Sequence, residues 1–331
     1  MNRLLAYPRL LRLPNLLIVF LTQWMPYWYA LRPAILRAGG LPVLNEHSFR
    51  LLAITTVLTT LGGYLINDYF DRDIDAINKP TRRVVGRFMP PWMALALYGI
   101  VLAATAWYMI RLDAALPPPH KPWVFVVFPV VSLLLFLYAW LLKCTPVLGN
   151  LLVAVLCAAV PVIPLFPENR PLWIVSFEHG DEVHQAIGLV WLYALFAFVT
   201  TLLREQVKDI EDFPGDSACG CNTLAVIKGV RYARLPAGFT AMTVIVLTGI
   251  LLFFWIQTDA PDWQMIAGVL LLLLPAAAIA GLIYGAKTRL HFRWASMLIK
   301  FVMLAGIFLL LRSWPEDLLG AIETALQTGA R

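Results

Sequence analysis

Nine mainly apolar stretches alternate with polar connections along the chain, at roughly 15–36, 48–66, 92–112, 122–142, 148–166, 185–203, 235–256, 264–284 and 295–312. An α-helix needs about 20 such residues to cross the hydrocarbon core of a bilayer. The pattern therefore predicts an all-α, polytopic membrane protein with nine transmembrane helices. The connections after the second, fourth, sixth and eighth stretches hold most of the charge, whereas segments such as Pro117-Pro118-Pro119 and Pro167-Glu168-Asn169-Arg170 read as plain turns.

Composition agrees with the pattern. Hydrophobic residues make up 60% of the 331 positions, charged residues 14%, and mean hydropathy is +0.74, against about 25% charged residues in a soluble domain. A net charge of +6 would suggest nucleic acid in a soluble protein. Here the basic residues set orientation and attract anionic head groups, and no nucleic-acid partner is expected. The first apolar stretch has no small-residue cleavage site after it and reads as a retained span.

Lysine and arginine divide unevenly between the two sides. Seventeen fall at the N-terminus, at Lys143 and in the even-numbered connections, eight fall on the opposite side, and Lys300 lies within the ninth stretch. By the positive-inside rule the N-terminus and the charged connections face the cytoplasm. An odd number of spans leaves the C-terminus outside, where 315–326 is expected to form an amphipathic helix lying on the surface.

Two of those connections carry unusual chemistry. Asn67-Asp68-Tyr69-Phe70-Asp71-Arg72-Asp73-Ile74-Asp75 closes the second stretch, and Asp209-Ile210-Glu211-Asp212-Phe213-Pro214-Gly215-Asp216 closes the sixth. Asp68, Asp71 and Asp75 recur as Asp209, Asp212 and Asp216 at a constant offset of 141 positions. On a continuous helix Asn67, Asp71 and Asp75 share one face, while Pro214 and Gly215 are expected to break or bend the second helix before Asp216. One such cluster alone has a plainer reading as a solvated helix end with capping acids. Two with the same internal spacing call for cations between them. Carboxylates and an Asn carbonyl are hard oxygen ligands suited to Mg²⁺ and a bridging diphosphate. Basic neighbours, Arg82, Arg204 and Lys208 among them, are candidates for the phosphate oxygens that the metal does not reach. Cys144, Cys157, Cys219 and Cys221 lack the spacing of a zinc site or disulfide framework, and Cys219 and Cys221, beside the second cluster, are read as ordinary thiols.

These motifs resemble the UbiA superfamily of intramembrane prenyltransferases. Its N-D-x-x-D-x-x-x-D signature is met by Asn67, Asp68, Asp71 and Asp75, and its D-x-x-D-x-x-G-D motif by Asp209, Asp212, Gly215 and Asp216. Arg12-Leu13-Pro14-Asn15, Tyr138 to Lys143, Gly149-Asn150 and Lys300 extend the likeness over nearly the whole chain, 1–331. The resemblance implies one domain, a nine-helix bundle around a central cavity with a lateral opening to lipid. It also implies Mg²⁺ held by Asn67, Asp68, Asp71, Asp75, Asp209, Asp212 and Asp216, with Asp71, Asp75, Asp212 and Asp216 carrying catalysis. Substrate contacts are expected from Asn15, Tyr138 and Lys143, joined by Arg82, Arg204 and Lys208. The reaction it implies is ionisation of an allylic prenyl diphosphate, shielding of the cation among aromatic residues, and capture by a lipid-soluble or phosphorylated acceptor.

Ile74-Asp75-Ala76-Ile77-Asn78-Lys79-Pro80 and Lys208-Asp209-Ile210-Glu211-Asp212 look most like the branch that acts on geranylgeranylglyceryl phosphate. Aromatic, quinone-pathway acceptors are the alternative within the family, and cyclisation of the donor is another. A cation-coupled transporter is the alternative of another class, but transporters place ionisable groups near the bilayer midplane, and these lie at span ends.

Overall fold

The computed structural model describes residues 11–81, 83–118, 123–176, 180–257 and 262–309. In chain order the helices are α1 (Leu13–Pro26), α2 (Arg32–Arg37), α3 (Glu46–Phe70), α4 (Arg72–Asn78), α5 (Pro91–Ala115), α6 (Trp123–Trp140), α7 (Leu148–Ala159), α8 (Leu165–Ser176), α9 (Gly180–Ala218), α10 (Leu224–Lys228), α11 (Val230–Gln257), α12 (Asp262–Gly268), α13 (Leu274–Tyr284) and α14 (Arg289–Leu309). No strand occurs among the described residues; Val85 and Met89 form an isolated bridge. The expected surface helix at 315–326 lies outside the described residues.

Among the described residues seven helical stretches are long and apolar enough to cross a membrane, so the expected nine are not all found there. The first expected span, 15–36, is helical but interrupted: a π turn at Tyr27–Leu31 joins α1 to α2. Pro26 precedes that turn and Pro33 follows it, and a proline lacks the N–H that an α-helical ladder requires. In the fifth, 148–166, α7 is a 12-residue helix that stops at Ala159, just before Pro161 and Pro164. Pro161 and Pro164, which an apolar-window reading ignores, account for the short α7, whereas 13–37 stays helical throughout and is diluted by polar Asn15, Gln23 and Arg32.

Outward-facing positions are apolar, with Trp92, Trp107 and Phe239 at 60% exposure or more, as expected where the surrounding solvent is lipid. This is an integral membrane protein. Its longest element, α9, has 39 residues and so runs about 58 Å, well beyond the ~30 Å hydrocarbon thickness. The excess length carries the second acidic motif past the apolar zone. Along the way α9 packs against α7, α11, α14 and the short α4, and its buried Val199, Leu203 and Val207 join the largest core with Ala237, Ile279 and Ile299.

A second core lies around Tyr27, Leu31, Phe49 and Leu112. Glu168 closes it. That side chain is fully buried and accepts the N–H groups of Val43 and Leu44 and the Tyr27 hydroxyl, all at 2.9 Å. Three donors stabilise a carboxylate that would otherwise be costly to bury.

Candidate active site

The helix ladder carries the first motif through the α3–α4 junction. Asp71 N–H bonds to Asn67 C=O at 2.8 Å, Asp75 N–H to Asp71 C=O at 2.7 Å, and Lys79 N–H to Asp75 C=O at 2.9 Å. Asn67, Asp71 and Asp75 therefore stack one turn apart, as their spacing predicts, while Asp73 faces out. Asn67 Nδ2 donates to Asp71 Oδ2 at 2.6 Å, and Asp71 forms an ion pair with Lys143. Burial by itself would raise the Asp71 pKa, but Lys143 and Lys208 outweigh it and hold the carboxyl below its ordinary range. Asp68 points elsewhere, to an ion pair with Arg12.

Arg12 has a left-handed backbone, φ 48°, a conformation that disfavours L side chains by about 1–2 kcal/mol. Two contacts hold it there: the Asp68 carboxylate and the Tyr64 ring, whose centroid lies 4.9 Å from the guanidinium carbon. Asp68 keeps this cation charged against the opposing effect of burial.

The second motif departs from its sequence reading in two ways. Helix α9 continues through Pro214 to Ala218, so Asp212 and Asp216 stay on one helix instead of being separated by a break. Both are buried, at 7% and 4% exposure. Asp209 turns away from the other acids: it accepts from Asn150 Nδ2 at 2.7 Å and lines a separate cavity of about 90 Å³. The motifs meet through Lys79, whose Nζ is 3.0 Å from Asp75 and 3.8 Å from Asp212. Arg289 stands 3.5 Å from Asp212 Oδ1 on the other side.

The cysteine expectation needs correction. Cys144 and Cys221 are joined in a disulfide, and only Cys157 and Cys219 are free thiols among the described residues. The bridge fastens the turn bearing Lys143 to the chain just past α9, and Asn222 N–H reinforces it by bonding to Cys144 C=O at 2.9 Å. Gly149 lets this turn close, because a Cβ there would sit 2.5 Å from the Leu142 carbonyl oxygen. Neither partner stands near the other in sequence, so pairing across 77 residues had no local signal.

Below the acidic mouth is a cavity of about 390 Å³. At its polar end stand Arg12, Asn67, Arg204, Glu205 and Lys208; Asn15, Tyr138 and Lys300 also line it. Its body is apolar, with Phe128, Phe166, Tyr193 and Phe196 on the wall. The hydroxyls of Thr22, Thr56, Thr59, Thr60 and Thr200 donate to carbonyls one turn back, at 2.6 to 3.0 Å. Polar side chains thus line an apolar space without leaving donors unpaired.

Of the expected substrate residues, Asn15, Tyr138, Arg204 and Lys208 face this cavity and Lys143 stands at Asp71. Arg82 lies outside the described residues. Glu205 was not legible as a site residue: it is buried, paired with Arg204 and turned into the cavity. Its one-turn spacing before Asp209 was the available signal. Among the described residues no three His, Cys, Asp or Glu side chains are poised together for a metal. Asp68, Asp71, Asp75 and Asp212 are paired with cations instead. Even so, Asn67 Oδ1 and Asp212 Oδ1 are buried and accept no hydrogen bond, Asp212 Oδ1 having only its 3.5 Å ion pair with Arg289. Hard oxygens left this open beside Asp71 and Asp216 fit a divalent cation.

A helical membrane protein with an apolar cavity beneath paired acidic motifs is the architecture of an intramembrane transferase. The chain belongs to the UbiA prenyltransferase family, whose model matches residues 23–304, and is a prenyltransferase. It is 36% identical over 219 residues to the digeranylgeranylglyceryl phosphate synthase of Thermococcus kodakarensis, covering 64% of this chain and 68% of that one. The protein of the same name from Methanopyrus kandleri is 31% identical over 276 residues, covering 80% and 86%. The fold also resembles a solved structure from work on digeranylgeranylglyceryl phosphate synthase in membranes, with TM-score 0.58, 21% identity and coverage of 95% and 100%. An apo UbiA homologue from Aeropyrum pernix K1 matches with TM-score 0.56, 14% identity and coverage of 88% and 96%.

Proposed function

We propose that this protein transfers a prenyl group from an allylic polyprenyl diphosphate to geranylgeranylglyceryl phosphate or a similar glycerophosphate, with Mg²⁺ as cofactor. The names of its relatives support the acceptor class. One observation carries the reaction type: an aromatic-walled apolar cavity ends at two convergent acidic motifs ringed by Arg12, Lys143, Arg204 and Lys208. An isoprenoid chain fits the first part and a diphosphate the second.

Asn67, Asp71, Asp75, Asp212 and Asp216 are the oxygen donors that would hold the metal. Bound Mg²⁺ would supply positive charge that offsets the diphosphate leaving group. Lys143 and Lys208 add fixed charge to the same end. The allylic C–O bond breaks with its electron pair leaving on diphosphate. The cavity then keeps water from the allylic cation, and aromatic side chains on its wall, Phe128, Tyr138 and Phe196 among them, stabilise it. A lone pair of the acceptor hydroxyl forms the new C–O bond, and its proton is released. Glu205 pairs with Arg204 at the cavity end and holds that guanidinium in place.

The N-terminus and both motifs face the cytoplasm in this reading, as the lysine and arginine distribution supports. A donor-by-acceptor screen on the purified full-length protein tests it, with mass spectrometry of the products. The expected product is the diprenylated glycerophosphate ether, lost in Asp71→Ala and Asp212→Ala variants that remain folded and membrane-inserted. Transfer to aromatic acids alone would point to the quinone-pathway alternative. No diphosphate release from any C10 to C20 donor, or full activity in either variant, would sink the proposal.

A further inference from the structure

The closest link between the two acidic motifs is made by a neutral side chain. Asn78 ends α4 and is buried at 4% exposure. Its Nδ2 donates to the Asp212 carbonyl at 2.9 Å, and its Oδ1 accepts the Gly215 N–H at 3.1 Å. Between those residues lies Pro214, whose missing N–H removes the ladder bond to the Ile210 carbonyl. The Asn78 amide bonds main chain on both sides of that proline, donating to Asp212 C=O and accepting from Gly215 N–H. Gly215 permits the approach: a Cβ there would stand 2.4 Å from Asn78 Nδ2 and 2.7 Å from its Cγ. Arg289 closes the far side, donating to the Asn78 carbonyl at 3.3 Å and to Oδ1 at 3.2 Å.

We infer that Asn78 is a positioning residue that sets the register of Asp71 and Asp75 against Asp212 and Asp216, so that the two motifs take a divalent cation and its phosphate ligand as one site. This rests on the metal–diphosphate reading above. Lys79 and Arg289 also span the motifs, but they act through charges on flexible stems. A cation or a phosphate entering the site competes for those charges. The Asn78 bonds to Asp212 and Gly215 are neutral and end on main chain, so they persist whichever ions are present.

The test uses the full-length protein in lipid nanodiscs, with Mn²⁺ as a spin-detectable probe and inorganic diphosphate as its partner. Wild type is expected to take up Mn²⁺ together with diphosphate. Asn78→Ala should raise the Mn²⁺ concentration for half-saturation at least tenfold, and raising Mg²⁺ should restore much of its prenyl transfer. Metal rescue would not follow from a general loss of fold. Gly215→Ala attacks the same contact from the other side and should shift half-saturation in the same direction. The double variant should be no worse than the poorer single one, because both changes remove one interaction. If Asn78→Ala does not fold, Gly215→Ala decides alone. Wild-type Mn²⁺ affinity in the folded variants would overturn the bracket and leave the functional reading standing. Failure of wild type to bind Mn²⁺ with diphosphate would overturn both.

Discussion

Lys143 reaches from the turn after α6 to form an ion pair with Asp71 at the α3–α4 junction. Its position is fixed from two sides, by the Gly149 contact and by the neighbouring Cys144–Cys221 bridge. A cation held this firmly beside a buried carboxylate is placed to receive diphosphate as well. Lys143→Ala should lower kcat/KM for the donor about 100-fold or more, a loss of roughly 3 kcal/mol, with Lys143→Arg recovering part of it. Steady-state kinetics with unchanged membrane insertion is the check.

The cavity wall makes a separate prediction about the donor. Gly306 on α14 faces Phe196 so closely that a Cβ would lie 2.2 Å from the ring. Since Phe196 lines the cavity, Gly306→Ala should push the ring inward and disfavour long prenyl chains. The ratio of C20 to C10 donor use should fall about tenfold, well within the cost of crowding a packed interior. An unchanged ratio in folded protein would show that the ring moves elsewhere.

Glu168 should matter for stability and not for chemistry. Gln at this position retains one acceptor oxygen and turns an NH₂ toward backbone N–H groups of Val43 or Leu44. Leaving a buried donor unpaired costs about 1–3 kcal/mol. Glu168→Gln should therefore melt several degrees lower while its turnover, measured below that transition, stays within about threefold of wild type.

The disulfide can be counted directly. Denatured, non-reduced protein should titrate two thiols, Cys157 and Cys219, and four after reduction. Bridges of this kind contribute about 2–4 kcal/mol, so Cys144→Ser should lower the melting temperature under non-reducing conditions. Four thiols before reduction would contradict the bridge.

Apolar periodicity, charge and the repeated aspartate spacing determined a great deal alone: a helical membrane protein, two equivalent acidic motifs at span ends, and the stacking of Asn67, Asp71 and Asp75. These are local properties, set by span length and by the 3.6-residue helical repeat. Apolar windows were blind to the prolines that end the fifth expected helix early.

Which partner each side chain takes was decided only in the folded molecule. Asp68 turns to Arg12 and Asp209 to Asn150, although their spacing matches that of acids that face the site. Cys144 finds Cys221 across 77 residues, and Asn78 reaches main chain more than 130 positions away. Helical spacing fixes the face on which a residue lies, but the neighbour on that face depends on how the helices pack. The two motifs announced themselves in the sequence; the neutral amide and the flanking cations that hold them together became visible only when α4 met α9.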